Sequence, residues 1–295
     1  RIDNGYPNVV YDGTWRLWYG DCVAEDGSCS TQIVCYAESS DGLDWKKPSL
    51  GVFDLDSLRP DLGVGTDNNV VLQGGGVGVT KHDGQFIAFG DFCALDDDET
   101  LREEEEPTVH SAVALPSCPA GWSKANVATS EDGLRFGDGF RLQWESPQAY
   151  DTHDNLVFVD GAFAATTRLR IDDLRNVGIA TAPSLDTFDT DQEPALTLKA
   201  ESATEQNYAQ ITFAWHDLFL GLVMVFDDEN PSEFGHGKVH CRLAYSKALQ
   251  DDWTLLDDAD FIPLGSQGSS PTDPSNAFDS HVCFAAAVPL TFDGE

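Results

Sequence analysis

One segment constrains this chain more than any other, because it comes back. Tyr36-Ala37-Glu38-Ser39-Ser40-Asp41-Gly42-Leu43-Asp44-Trp45 reads as a strand that runs into an Asp-Gly turn and is closed by an aromatic residue. Asp41 is placed to accept hydrogen bonds from nearby backbone N–H groups, Gly42 tolerates the positive φ of such a turn, and Trp45 folds back as an apolar plug. Ala128-Thr129-Ser130-Glu131-Asp132-Gly133-Leu134-Arg135-Phe136 is nearly the same segment. Ala180-Thr181-Ala182-Pro183-Ser184-Leu185-Asp186-Thr187-Phe188 is a worn copy, and a longer one starts at Ala244-Tyr245-Ser246-Lys247 and ends at Trp253. Four copies, each from an Ala to an aromatic, make an internal repeat, so one supersecondary unit is used several times.

The rest of that unit lies upstream of each turn. Asn8-Val9-Val10-Tyr11-Asp12-Gly13-Thr14-Trp15-Arg16-Leu17-Trp18-Tyr19-Gly20 is two short strands joined at an Asp-Gly turn, a hairpin signal. Comparable hairpins span 77–89, turning at Asp83-Gly84, 155–168, turning at Asp160-Gly161, and 211–226, turning near His216-Asp217. A fifth begins in 282–295, with Asp293-Gly294 at its turn. A hairpin followed by two more strands is the four-stranded antiparallel sheet of a propeller blade. The chain is therefore expected to be all-β: one five-bladed β-propeller domain over 1–295, with blades near 1–60, 61–145, 146–200, 201–265 and 266–295. The last blade is either incomplete or closed by an N-terminal strand. A length of 295 residues and a hydrophobic fraction of 41% suit that core, and a single Met beside 26 Gly favours turn-rich β structure over helices.

Charge narrows the partners. With 51 acidic against 17 basic residues the formal net charge is −34. Such a surface repels nucleic-acid phosphates and anionic lipid, and reads first as a solvated acidic shell. No run of about 18 apolar residues is present to span a membrane. The acidic run within 94–107 reads as an exposed loop, 227–237 as another polar loop, and 265–276 as a connector. The seven cysteines contain no C-x-x-C pair, so no zinc signature and no metal ligand set is assigned. Cys22 with Cys29, or Cys93 with Cys118, could bridge short loops, while Cys35 and Cys283 sit in apolar runs and read as buried small hydrophobes. The chain opens at Arg1 without a Met, which reads as a mature form, a trimmed chain or a fragment. An extracellular or secretory setting is the expectation, and the oligomeric state is left open.

The chemistry is expected just before each hairpin, where the loops entering the innermost strands converge. Those entries carry Asp3, then Asp67-Asn68-Asn69, then Tyr150-Asp151-Thr152-His153-Asp154-Asn155, then Glu205-Gln206-Asn207-Tyr208, then Phe278-Asp279-Ser280-His281. Asp3 and Asp151 each stand nine residues before the Asp of their hairpin turn, so they are equivalent positions. Acids gathered in this way suit glycoside hydrolysis, which needs one carboxylic acid to protonate the leaving oxygen and one carboxylate to attack or to activate water. His153 and His281 occupy matching entries and can hydrogen-bond sugar hydroxyls or orient a carboxylate. Tyr208 offers a stacking face, and Arg168, after the strand Phe163-Ala164-Ala165-Thr166-Thr167, a guanidinium. For each, turn chemistry, core packing or a salt bridge is the structural counterpart.

The segments 36–48, Asp67-Asn68-Asn69-Val70-Val71, Asp151-Thr152-His153-Asp154-Asn155 and Phe278-Asp279-Ser280-His281 together resemble the five-bladed β-propeller glycoside hydrolases, family 32-like and family 43-like. The resemblance implies three acids: a nucleophile or base, a transition-state stabiliser and a general acid. On this sequence they fall on Asp3, Asp151 and Glu205, with Asp67, Asn68, His153, Arg168, Tyr208, Asp279 and His281 as substrate-binding candidates. It implies an oligosaccharide or polysaccharide substrate and no cofactor beyond a central structural ion such as calcium. The Trp-Met-Asn-Asp-Pro-Asn signature of family 32 is only echoed by Arg1-Ile2-Asp3-Asn4-Gly5-Tyr6-Pro7-Asn8, and no Arg-Asp-Pro or Glu-Cys motif occurs. A non-catalytic glycan-binding propeller is the rival reading. A sialidase-like reading rests on Ser39-x-Asp41-Gly42-x-x-Trp45, which resembles the Asp-box turn; five hairpins and few arginines at the entries argue against it.

Overall fold

The computed structural model describes residues 6–23, 31–92, 125–141, 153–188, 193–228, 237–257, 259–266, 275–277, 279–287 and 289–290. Among these every regular element is a β-strand or a short 3-10 turn. Two compact units divide the chain, Arg1–Leu142 and Gln143–Glu295.

The first unit contains β1 (Asn8–Tyr11), β2 (Trp15–Val23), β3 (Thr31–Ser39), β4 (Val70–His82), β5 (Gln85–Phe92), β6 (Ala125–Ser130) and β7 (Gly137–Arg141). They pair antiparallel in sequence order as one seven-stranded ladder, not as separate four-stranded sheets. The reason lies in β4, which spans 13 residues. Its first part pairs with β3 (Ile33↔Gln73, Val34↔Leu72) and its second with β5 (Gly74↔Phe92 to His82↔Gln85), with a register shift between Gly75 and Gly78. Glycines at 74–76 let one strand leave the first sheet and open the next without a break.

The second unit holds two sheets of four. One has the order β11-β10-β9-β8, from β8 (Asn155–Val159), β9 (Ala162–Ile171), β10 (Leu174–Ala182) and β11 (Ala195–Leu198). The other has the order β12-β13-β14-β15, from β12 (Glu205–Trp215), β13 (Leu218–Asp227), β14 (Lys238–Ser246) and β15 (Thr254–Leu255). These are the four-stranded antiparallel units expected from the repeat.

Hairpin turns form where the Asp-Gly pairs lie. Asp83 and Gly84 take φ of 48° and 84°, and Asp160 and Gly161 take 54° and 78°. Two left-handed residues in a row twist the chain in the sense that antiparallel strands need. The turn Asp172-Asp173 between β9 and β10 does the same with φ of 53° and 62°; short Asp side chains tolerate that region.

Burial on both faces of the strands shows how the sheets are used. In β2 and β3 the pair Trp18↔Tyr36 enters one core cluster while Leu17↔Ala37 and Tyr19↔Cys35 enter another. Alternate residues point to opposite faces, so a strand apolar at consecutive positions is covered on both sides. In the second unit the same holds. Val157, Ile179, Val223 and Trp253 form one core, and Ile211, Met224, Val239 and Cys241 another, onto which Cys283, Phe284 and Ala285 pack.

The repeated turn staples one sheet to the preceding one. The Ser130 hydroxyl donates to Asp132 Oδ1, which also accepts the N–H groups of Leu134 and Arg135 at 2.8 and 2.9 Å. The turn's carbonyls then face β2: Trp18 Nε1 donates to Gly133 O at 2.7 Å and Arg16 to Asp132 O at 3.1 Å. In the second unit Gln250 Nε2 donates to Ile179 O and the Trp253 N–H to Thr197 O. The first copy has the same internal bonds, with Asp41 Oδ1 accepting from Leu43 and Asp44.

Cysteine pairing corrects one expectation. Cys283 is not a buried small hydrophobe: it bonds to Cys241 of β14 across 42 residues of sequence. Cys35 is the buried free thiol expected, and burial pushes it up to about 12. Cys22 is disulfide-bonded, while Cys29, Cys93 and Cys118 lie outside the described residues.

Candidate functional site

In the second unit His153, Arg168, Arg175, Glu205 and Tyr208 lie at one end of the sheets, the end at which β8 and β12 begin. The Asp-Gly hairpins and the stapling turns occupy the opposite end. An antiparallel sheet brings to that entry end the start of one strand and the finish of its neighbour, so residues far apart in sequence share it.

An asparagine opens the first strand of each unit and ties it down. Asn8, fully buried, donates to Tyr6 O and Val77 O and accepts the Val79 N–H, which joins β1 to β4. Asn155, also fully buried, accepts the Thr212 N–H from β12 and donates to Ala287 O. Beside it Thr166 Oγ1 donates to Thr212 Oγ1 at 2.8 Å. These bonds satisfy backbone groups where the sheets meet edge to edge. A sequence signal existed: in both hairpins an Asn stands just ahead of the apolar residues that lead to Asp-Gly.

At the entry end of the second unit, His153 and Asp154 precede Asn155 and are buried. Burial pushes the His153 imidazole down to about 3, against a hydrogen bond with the Ala285 backbone, so the ring is neutral. Arg168, 1% exposed, stands beyond the Asn155↔Thr166 pair on β9. Its guanidinium lies 4.9 Å from the centre of the Tyr208 ring on β12. Arg175 on β10 lies 5.9 Å from the same ring and donates to Gln206 Oε1. Phe284 meets Tyr208 edge-on at 5.8 Å. Glu205, the first residue of β12, accepts from Arg242 at 2.6 Å, and the other guanidinium nitrogen stands 3.9 Å from Glu201. His240 Nδ1 lies 2.9 Å from Asp260 and its Nε2 3.7 Å from Asp227.

The residues 281–287 cross this end as a strap. The His281 carbonyl accepts the Val239 N–H, the Cys283 N–H donates to Val239 O, and the disulfide to Cys241 fixes the crossing. The strap then delivers Phe284 to Tyr208, the Ala285 backbone to His153 and the Ala287 carbonyl to Asn155.

Of the site residues expected from the sequence, Arg168 and Tyr208 are in contact, and Glu205 and His153 stand at the heads of β12 and β8 in the same unit. Asp279 is half-buried in the turn before the strap, and His281 Nδ1 bonds the Ser280 hydroxyl at 2.7 Å. Asp67 is exposed in a loop of the first unit. Asn68 braces that loop, donating to Phe53 O and Gly65 O and accepting the Val70 N–H. Asp3 and Asp151 lie outside the described residues. Asp154 and Gln206 stand in entry segments read from the sequence without being singled out, whereas Arg175 and Arg242 are missed, because only the fold brings them beside Gln206 and Glu205. Among the described residues no group of three or more His, Cys, Asp or Glu side chains is arranged to hold a metal ion, and no helix is long and apolar enough to cross a membrane.

At the entry end of the first unit a narrow cleft is lined by Tyr6, Asp21, Gln32 and the glycines 74–76. The carboxyl of Asp91, paired in register with Gly75, is raised by burial to about 6.

No protein-family model and no curated protein sequence matches this chain. Solved structures do. A thermostable family-43 glycoside hydrolase superposes with a TM-score of 0.56 at 13% identity, over 88% of this chain and 73% of the other. A second structure described as a glycoside hydrolase gives 0.56 at 13% identity, over 100% and 82%. The family-32 β-fructofuranosidase BmSUC1 of Bombyx mori gives 0.51 at 12% identity, over 86% of this chain and 48% of the enzyme. The chain thus spans about half the length of the silkworm protein. At these identities the likeness speaks for architecture: this chain has the β-propeller fold of the family-32 and family-43 glycoside hydrolases.

Proposed function

We propose that the chain is a carbohydrate-active hydrolase, a five-bladed propeller that cleaves a glycosidic bond with Asp3, Asp151 and Glu205 as its acids. Glycoside hydrolysis asks for one carboxyl to protonate the departing oxygen and another to attack the sugar or activate water. The observation that carries the reading is the polar array at the entry end of the second unit. Glu205 opens β12 there, directly ahead of Gln206–Asn207–Tyr208, and the buried Arg168 is stacked on Tyr208. A carboxylate, a stacking ring and paired guanidinium and amide groups are the side chains that sugar recognition uses. Solved structures of similar fold include a β-fructofuranosidase, an arabinanase and a xylanase, so fructan, arabinan and xylan are the first substrates to offer.

The test is release of reducing sugar from those polysaccharides by the wild-type chain and by Asp3→Asn, Asp151→Asn and Glu205→Gln. Each amide variant should keep its circular dichroism spectrum and lose at least about a hundredfold in turnover, the usual scale for removing an acid–base group. If all three keep full activity, the assignment is wrong. Asp154→Asn belongs in the same series, since Asp154 is a fully buried carboxyl beside His153.

A second reading, glycan binding without hydrolysis, is favoured by one contact. Glu205 is tied to Arg242 at 2.6 Å, a partnership that suits a structural ion pair as well as a reactive acid. Binding of an oligosaccharide with no cleavage on prolonged incubation would select it.

A further inference from the structure

Two arginines of the second unit are arranged unlike the others in this chain. Arg170, near the end of β9, and Arg175, the second residue of β10, are partners directly across the ladder. Side chains paired in this way leave one face of the sheet with Cβ atoms about 5 Å apart, and like charges so placed cost stability. The chain is rich in acids, 51 against 17 basic residues, and elsewhere it uses them: Arg16, Arg59, Arg135 and Arg242 each meet a carboxylate. Among the described residues neither Arg170 nor Arg175 meets one, Asp172 and Asp173 of the turn between them included.

The pair is also held in place. The Arg175 Nη1 and backbone N–H both donate to Gln206 Oε1, at 3.2 and 3.1 Å. Its guanidinium lies 5.3 Å from the centre of the Phe226 ring and 5.9 Å from that of Tyr208. Its Nε, though buried, has no acceptor among the described residues. Arg170 is exposed and Arg175 half-buried. Arg168, two residues before Arg170, leaves the same face of β9 and lies 4.9 Å from the Tyr208 ring. One face of the β9–β10 hairpin, at the entry end, thus carries three guanidiniums beside a half-buried aromatic ring.

These surroundings suit one kind of ligand. A guanidinium is always charged, and its fork of N–H donors matches the oxygens of a carboxylate or a sulfate. An oxyanion between two such forks relieves their repulsion, which a neutral or cationic group does not. We propose that Arg170 and Arg175 form a subsite for the acidic group of a glycan, a uronate carboxylate or a sulfate ester, on a sugar beside Tyr208. The inference rests on the carbohydrate reading above and narrows the substrate to chains that carry an oxyanion. The chain as a whole is strongly negative, so the attraction has to be supplied locally by this pair.

Calorimetric titration at one ionic strength tests this without needing turnover. The probes are glucuronic and galacturonic acids, the 6-sulfates of glucose and galactose, and glucose and galactose themselves. The wild-type chain should bind at least one acidic sugar about tenfold more tightly than its neutral parent, the scale of a charge-assisted bidentate contact. Which acid is preferred distinguishes carboxylate from sulfate. Arg170→Gln and Arg175→Gln should each reduce the preference several-fold, and the double variant should abolish it. Arg175→Lys, which keeps the charge and loses the fork, should retain only part of it. Arg170→Gln removes a like-charge contact and should be no less stable than the wild type in urea, which separates lost binding from lost fold. No preference in the wild-type chain, or one that the double variant keeps, overturns this inference; release of reducing sugar from neutral polysaccharides then leaves the hydrolase reading standing. A preference for acidic sugars without cleavage of any glycan, neutral or acidic, supports the inference and overturns hydrolysis in favour of binding. A chain that binds none of the sugars and cleaves no glycan overturns both.

Discussion

His153 and Asp91 make the folded chain sensitive to pH in opposite senses. Burial drives the His153 imidazole from 6.5 down to about 3. The unfolded chain takes up that proton near neutrality and the folded chain does not, so unfolding is favoured progressively as pH falls from 6.5 towards 3. The slope from this one group approaches about 1.4 kcal/mol per pH unit. The Asp91 carboxyl is raised from 3.8 to about 6. There the folded chain holds the extra proton, and stability is lost as pH rises through the same region. Single variants separate the two: urea midpoints measured from pH 4 to 8 should flatten on their acid side in His153→Gln. Asp91→Asn should be more stable than the wild type at pH 7.5, by about 1–3 kcal/mol. A less stable Asp91→Asn at that pH would mean that the carboxylate has a partner. Asn8 belongs to the same scale. Asn8→Ala strands buried groups of β1 and β4 and should cost about 3 kcal/mol in chemical denaturation.

At the scale of the element, the repeated turn is both a cap and a staple, and glycine substitutions distinguish the two duties. Gly133 has φ of +73° and its added Cβ would stand 2.7 Å from Trp18 Cζ2 and 3.2 Å from Phe86. Gly13, in the β1–β2 hairpin, has φ of +99° and open space around it. Both positions carry the left-handed penalty, about 1–2 kcal/mol for a residue with a side chain. Only Gly133 adds overpacking, about 1–3 kcal/mol more. Gly133→Ala should therefore be clearly more destabilising than Gly13→Ala. Equal losses would show that the turn's contact with β2 carries no packing energy. The long strand β4 teaches a related point. Its apolar runs 70–72 and 77–79 read as strand in the sequence, but Gly74-Gly75-Gly76 between them looks like a break and is instead a bulge that keeps one strand continuous.

For the molecule as a whole, charge and the strap set the stability. A net charge of −34 on 295 residues repels itself, and salt screens that repulsion over about 10 Å at 0.1 M. The thermal midpoint should climb steadily between low salt and 1 M NaCl, more than for a chain of balanced charge. The bond between Cys241 and Cys283 closes a loop of 42 residues, for which chain entropy predicts about 4 kcal/mol. Cys283→Ser should lower the denaturation midpoint accordingly. It should also loosen the His153 neighbourhood, read as faster amide exchange in β8, because the same strap carries the Ala285 and Ala287 backbone groups.

What could be read from the residues alone was local. The Asp-Gly hairpins, the Ser-x-Asp-Gly turns and the four-stranded unit follow from positive φ, side-chain-to-backbone bonds and a period of two, all of which act within a few residues. Arg168 and Tyr208 were named as site candidates on the same footing. Their stacking, the ion pair of Glu205 with Arg242, the placement of Asp91 over a glycine and the disulfide to Cys283 were decided only by the tertiary structure. Each depends on strand register and on which sheets meet, and those are settled by packing between segments tens of residues apart, for which the linear order carries no local signal.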